Sequence, residues 1–529
     1  MSNAFAGFLA NRREAILQVL LIAGSLIALT YTADQFLWRA DLTENDRYTL
    51  ASASHEIAKS LADPVTVTAY VTANLPSRFG QTKEEFRALL QEFRAAADGN
   101  VEFTFINPNE TDKRAQEARQ AGIRPVQVSV RERNKMTQKR VYLGAVFQYQ
   151  DQREVLSFIE PGSALEYQIA NTVRKLTQEK KSVLGVLQGH GEPSLKAMTQ
   201  FRDAVKGRYD VQTISGVDTT GVPPNVDVLL IARPKNELST RAALAIDQYV
   251  MRGGRVVFAL NRAQTNMRFG RARAQTTGLE PLLDTYGLPI RANLIRDRNA
   301  SPIRVQQQRG GFRVVNQVRY PYIPQISNFS SHPISEGLDQ AVFRFVSSLD
   351  TTTADTSTAL TVLARSSSQS ARAGLPTSIR PKQEWTVSDF SGSSFPIAGV
   401  LRGSFTSAFA GRDTLDVERT QSPDTKLVVF GDGDFIVNGS GQRKQRLPES
   451  NVNLLVNSID YLADDTGLIS LRTQRVRSRP LMQLTPTTKT ILKYVNVLLP
   501  IFLVIGYGVV RYRRNQARRT RWKEQGLFG

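Results

Sequence analysis

The sequence predicts an α/β protein flanked by two apolar helices, and three observations carry the prediction. Short apolar, β-branched runs alternate with amphipathic helical segments through the middle of the chain, the pattern of a parallel sheet covered on both faces. Uncharged stretches stand near each end, Ala15–Ala33 and Tyr494–Val510. The 529 residues exceed what one hydrophobic core supports, so several folded units are expected.

Hydrophobic residues make up 41% of the chain and charged residues 22%, a globular composition rather than a disordered one. Cysteine is absent, which excludes disulfides, thiolate metal sites and cysteine nucleophiles. His55, His190 and His332 are far apart in sequence, so neither a metal site nor a cofactor is expected. The net charge is +20, of which residues 511–529 hold +6. The remainder is spread without a dense block. That suits a basic surface facing anionic lipid or an acidic envelope polymer, and no nucleic-acid partner is expected.

Ala15–Ala33 would span roughly 28 Å as a helix, about the hydrocarbon thickness of a bilayer. Its apolar run is longer than a signal-peptide core, so an anchor over 15–38 is expected in place of a cleaved leader. Arg12 and Arg13 before it put the N-terminus, residues 1–14, in the cytoplasm. The second anchor covers 490–510. Pro500 within it is tolerable in a membrane, and the dense RYRRNQARRTRWK tail at 511–529 marks a cytoplasmic side. The large domain between them is then periplasmic, on a bacterial inner membrane, with 471–489 as a juxtamembrane linker.

Within residues 41–180, Val65–Val71 alternates as a strand and Thr82–Ala97 forms a helix with Phe86, Leu89, Leu90 and Phe93 on one face. A strand at Val101–Ile106, a helix at Ala115–Gly122, a strand pair at Arg140–Tyr149 and Glu154–Ile159, and a helix at Ala164–Thr177 follow. The order βαβαββα is that of a thioredoxin-like domain, with Pro125 where that fold places a cis-proline. Ala73-Asn74-Leu75-Pro76 stands where the dithiol would be, so the fold would serve as a scaffold without redox chemistry.

Residues 181–470 read as the parallel-sheet α/β unit. Its strands are Val183–Leu187, Val211–Ile214, Asp227–Ile231, Val256–Leu260 and Lys426–Gly431, with helices at Ser194–Lys206, Ser239–Arg252 and Val452–Leu462. Between about 261 and 420 the sequence turns polar and irregular, which reads as loops or insertions. Ligands of open α/β sheets bind at the carboxyl ends of strands. Three segments occupy such positions: Gly189-His190-Gly191-Glu192-Pro193, Arg233-Pro234 and Gly431-Asp432-Gly433-Asp434. His190 and Glu192 could act as acid and base or bind a polar ligand, and Asp432 and Asp434 could bind a cation or a sugar hydroxyl. The plainer readings are a chain-reversing turn, with His190 capping the next helix, and a structural Gly-Asp-Gly-Asp turn. No GxxxxGK[ST] loop and no Gly-x-Ser-x-Gly elbow is present, so the chain is neither an ATPase nor a serine hydrolase of that type, and no enzymatic activity is expected.

Several segments, in order, resemble the gliding-motility auxiliary family, the GldG-like components of ABC transporters. They are Asp41–Leu50 (DLTENDRYTL), Asp63–Val67 with Asn74-Leu75-Pro76, Gln188–Pro193, Ala245–Gly254 (AIDQYVMRGG), and Gly431–Phe435 followed by Asn438. The resemblance implies a non-enzymatic accessory working with a separate ABC permease and ATPase, linked to gliding motility in some bacteria. It further implies a central amidotransferase/flavodoxin-like domain without the cysteine nucleophile. Gly189, His190, Gly191, Glu192, Arg233, Asp432, Asp434 and Asn438 are then the ligand-binding candidates. The domain would bind substrate or an envelope partner, and the alternative is an envelope sugar-binding protein or hydrolase using His190, Glu192, Asp432 and Asp434.

Overall fold

The computed structural model describes residues 49–132, 135–177, 180–309, 312–352, 358–412, 414–441, 444–473 and 486–524, together with Leu21, Gly24 and Ser25. Residues 1–14, nearly all of the first anchor, residues 41–48, most of the juxtamembrane linker and residues 525–529 lie outside the described residues. The chain forms two units, one ending at Arg475 and one beginning at Val476.

The first unit is mixed α/β with separate cores in two lobes. In the first lobe, alternation places Val65, Val67, Ala69 and Val71 of β1 (Val65–Val71) inside and Thr66 outside. β1 runs parallel to β2 (Val101–Ile106) and antiparallel to β5 (Leu143–Tyr149), which pairs antiparallel with β6 (Gln152–Leu156). The sheet order is therefore β2-β1-β5-β6. Helix Ser77–Ala96 buries Phe86, Leu89, Leu90 and Phe93, the face read from the sequence. Each buried phenylalanine contributes about 2–3 kcal/mol. Helix Leu165–Thr177 packs into the same core, and so do Leu468 and Leu471 from the far end of the unit.

The stretch after Pro125 differs from expectation. β3 (Val126–Glu132) and β4 (Lys135–Val141) form their own two-stranded hairpin, in register from Val126↔Val141 to Glu132↔Lys135. The central sheet's third strand is β5, so Pro125 precedes the hairpin and not a core strand. The cis peptide among the described residues is Leu375–Pro376. The polar segment RERNKMTQKR concealed these strands, because it carries no apolar alternation for a core to select.

The second lobe is built on an eight-stranded sheet. β7 (Val183–Leu187), β8 (Asp210–Ile214), β9 (Val228–Ala232), β10 (Arg255–Ala259) and β22 (Thr425–Phe430) run parallel in the order β8-β7-β9-β10-β22. All five residues of β9 are buried, which is why the strand reads as an unbroken apolar run. Helix Thr240–Met251 is capped by Ser239, whose hydroxyl accepts from Ala242 N at 3.2 Å. Its end is set by Gly253 at φ +95°, and a Cβ on Gly254 would fall 2.5 Å from the Tyr249 ring.

Residues 261–420, expected as loops, carry strands. β11 (Ala263–Asn266), β12 (Arg271–Ala274) and β20 (Thr377–Ser378) make one small sheet, and β13 (Asn293–Asp297) pairs with β19 (Ser370–Gly374). β14 (Ala300–Arg309) and β15 (Phe312–Ile326) form a long hairpin that also meets β17 (Ala341–Val342). β16 (Asn328–Phe329), β18 (Thr358–Arg365) and β21 (Pro396–Gly403) extend the main sheet antiparallel beyond β22. Their polarity misled because serine, asparagine and arginine side chains hold much of this region. Ser366 Oγ, for one, accepts from Phe395 N at 2.8 Å.

The second unit is a helix, Pro486–Glu524, which extends past 490–510 into the basic tail and contains Pro500. Lys493–Arg514 is the stretch among the described residues long and apolar enough to cross a membrane, by length and composition. Leu499, Phe502, Leu503 and Ile505 are exposed along it.

His332 gives the second lobe a defined acid response. Its ring meets the Tyr461 ring edge-on at 4.7 Å, and its Nδ1 accepts from Ile334 N at 3.3 Å. Burial, then the nearby Lys426 charge, lower it from 6.5 to about 4. The unfolded chain takes up this proton first as pH falls, so the contribution is complete above about 6.5 and is lost toward 4. Melting temperature should fall over that window, with about 2 kcal/mol assignable to His332. His332→Asn, which keeps the acceptor, should flatten the pH profile. An unchanged profile would remove His332 as the cause.

Candidate functional site

The strand order reverses beside β7, with β8 on one side and β9 on the other. A crevice at the carboxyl edge of such a sheet is where open α/β folds place ligands. The segments after β7, β9, β10 and β22 all end at that edge.

After β7 the chain turns on Gly189 (φ +125°) and Gly191 (φ +82°), conformations that favour glycine. The His190 carbonyl accepts from Lys235 N at 2.9 Å and Asn236 N at 2.8 Å, which fastens this turn to the one after β9. His190 N donates to Glu192 Oε2 at 2.7 Å. Its Nδ1 lies 3.3 Å from Glu192 Oε1, but off the hydrogen-bonding angle, so both buried atoms lack a hydrogen bond. The Glu192 side chain is fully buried and the imidazole 17% exposed. Ser194, not His190, precedes the following helix, and the backbone N and O of His190 are held by Glu192 and the neighbouring turn.

After β9, Arg233 adopts φ +47° and its N donates to Ala259 O at 2.8 Å. Its guanidinium pairs with Asp434 across from β22. Asn261, after β10, donates to Asp434 Oδ2 at 2.6 Å and accepts from Gly433 N at 2.6 Å. Asp432 lies beneath, fully buried, accepting from Asp434 N at 2.6 Å and Arg344 N at 2.7 Å. Burial, then the Asp434 carboxylate, push Asp432 upward, while the two backbone donors oppose the shift.

The two glycines of this turn are steric requirements. A Cβ on Gly431 would lie 2.1 Å from Ser347 O, and one on Gly433 would lie 2.4 Å from Ala259 O. Asn438 faces elsewhere: it accepts from Gln200 N at 3.1 Å and donates to Gln200 Oε1 at 2.6 Å and to Gln445 O at 3.0 Å. It therefore joins the loop after β22 to helix Thr199–Val205.

Of the candidates, Arg233, Asp434 and His190 keep partly exposed side chains at the edge, whereas Glu192, Asp432 and Asn438 are buried. The arrangement can offer one cation and one carboxylate, already paired, with an imidazole nearby. Asn261 and Arg344 belong to the cluster and were missed: a single polar residue after an apolar strand does not stand out from a turn, and Arg344 joins through its backbone N–H, which any residue but proline carries.

A family model described as an ABC-type uncharacterized transport system matches residues 181–463. A second, described as a domain of unknown function, matches residues 44–148. An uncharacterized protein of Borreliella burgdorferi is 22% identical over 534 residues, covering 96% of this chain and 99% of its own. Among solved structures, the mmIFT52 N-terminal domain aligns over 53% of this chain and 97% of its own, with TM-score 0.33 and 13% identity. A ThuA-like protein from Parabacteroides merdae aligns over 54% and 90%, with TM-score 0.27 and 12% identity.

The close approach at Gly433 yields a direct check. Gly433→Ala must push the turn away from Ala259 and Arg233, and should destabilise the protein by about 2–4 kcal/mol. Chemical denaturation of wild type and variant measures this, and equal stability would contradict the packing described.

Proposed function

The chain belongs to the family of ABC-type uncharacterized transport system auxiliary components, and from that premise we propose that it is a membrane-anchored, non-enzymatic subunit of a bacterial ABC transporter. The family match over residues 181–463 carries the reading. The helix at Lys493–Arg514 supports anchoring at the C-terminal end, and the apolar run at Ala15–Ala33 supports a second anchor. With both basic flanks cytoplasmic, the folded unit between them is periplasmic and stands over the permease. The ordered GldG-like segments favour that branch, of which gliding motility is one setting.

The first lobe serves as a thioredoxin-like scaffold, a reading supported by the order β2-β1-β5-β6 with its one parallel and two antiparallel pairings. The second lobe presents its β7/β9 edge to a substrate or an envelope partner through Arg233, Asp434 and His190. The absence of a phosphate-cradling loop from the sequence leaves ATP hydrolysis to a separate subunit.

The 3.3 Å approach of His190 and Glu192 favours a second reading, an envelope sugar-binding protein or hydrolase. Against it, both Asp432 oxygens are taken by backbone donors beneath the surface.

The tagged chain, solubilised in mild detergent, is expected to bring down a multispan permease and an ATPase subunit. Recovery with neither would overturn the accessory role. The His190→Ala, Asp434→Ala double variant separates the second reading: unchanged physiological activity with intact folding would eliminate a hydrolase.

A further inference from the structure

The two lobes meet along a cleft. A space of about 390 Å³ lies between β6 and helix Leu165–Thr177 on one side and the Gly207–Tyr209 turn and the end of helix Glu449–Ala463 on the other. A second space of about 560 Å³ adjoins it, and the two share Tyr167, Asn171, Arg208 and Asp460 in their walls.

The cleft's fixed charges are already neutralised. Asp460 accepts from Arg208 Nη2 at 2.6 Å and Tyr209 Oη at 2.7 Å. Asp464 faces Arg174 Nη1 at 3.2 Å and also accepts from Thr466 N, Thr466 Oγ1 and Ile469 N. These pairs hold Arg174 and Arg208 rigidly in the wall.

The remaining charges are unbalanced. Lys175, Lys180 and Lys181 line the same space, are exposed, and form no ion pair with any described residue. Glu154 is the carboxylate of the wall that likewise has no ion pair with any described residue. Among the described residues, three ammonium groups against one carboxylate leave a positive excess in the cleft. Arg174 Nε, buried in the same wall, has no hydrogen-bond partner among the described residues. Compact, strongly hydrated ammonium groups suit phosphate as point charges. The polar groups of Asn171 and Gln152 suit the rest of a hydrophilic ligand, and the volume falls in the range of small-molecule sites.

We propose that the cleft between the lobes is a binding site for a phosphate-bearing ligand, held by Lys175, Lys180 and Lys181. This site is separate from the β7/β9 edge and does not depend on the transporter role. The phosphate can belong to a soluble molecule or to a lipid headgroup.

Titration calorimetry of the full chain in a neutral detergent, with inorganic pyrophosphate as probe, tests it. Binding is expected to weaken as salt rises, and to weaken at least about tenfold in Lys180→Glu/Lys181→Glu. Lys175→Gln, a milder change at an exposed position, should weaken it less, and melting curves of each variant establish that folding is intact. Displacement of pyrophosphate by a water-soluble short-chain phosphatidylglycerol would assign the phosphate to a headgroup. Failure to displace would assign it to a soluble ligand, and either result supports the site. No pyrophosphate binding, or binding that the lysine variants leave unchanged, overturns it.

Discussion

The second lobe depends on β22 reaching β10. Val256 pairs with Leu427, Val257 with Val428, Phe258 with Val429 and Ala259 with Phe430, so residues about 170 positions apart must meet before the parallel core is complete. Closing a loop of that length costs about 4–5 kcal/mol of chain entropy. The offset comes from burying both faces of the central strands, whose side chains feed two separate apolar clusters. Gly431 and Gly433 let the incoming chain come within backbone distance of Ser347 and Ala259. The Arg233–Asp434 pair exists only when that seating is complete, so the candidate edge and the sheet's closure form or fail together.

Between these strands the connecting chain is held by buried polar hubs and not by apolar area alone. Asp247, on helix Thr240–Met251, accepts from the Tyr286 hydroxyl at 2.9 Å, the Ser407 hydroxyl at 2.7 Å and Ala408 N at 2.9 Å. Burial, then the Asp247 charge, raises Tyr286 well above its ordinary value and keeps it a donor. Asp297 does similar work for the β13 turn, accepting from Ser367 N at 2.7 Å and Asn299 N at 2.8 Å. A buried carboxylate is stable only when its oxygens are filled in this way. These contacts bind segments distant in sequence to the sheet.

That division explains what could be read from the residues alone. β7, β9, β10 and β22 were legible because a strand buried on both faces must be apolar throughout, and Phe86, Leu89, Leu90 and Phe93 because one helix face met a core. β14, β15, β18 and β19 were not, because their polar residues find partners only after folding. At the edge, the gathering of Gly189–Glu192, Arg233 and Gly431–Asp434 followed from the rule for strand ends. The sealing of Asp432 and the diversion of Asn438 to Gln200 did not, since both depend on residues far away in the chain. Of the lysines of the inter-lobe cleft, Lys175 ends a helix and Lys180 and Lys181 follow it, and only the fold sets them in one wall with Asp460.

Leu468 and Leu471 complete the first lobe's core from the end of the folded unit. The second lobe is therefore an insertion within the first, joined to it by two neighbouring crossings, one before Val183 and one after Ala463. Chain entering and leaving side by side means that the second lobe's termini must lie close together, and Arg255, bonded to Leu462 O at 2.8 Å, holds the outgoing chain to the second lobe's own sheet. The Arg174–Asp464 contact ties the two lobes together close to those crossings.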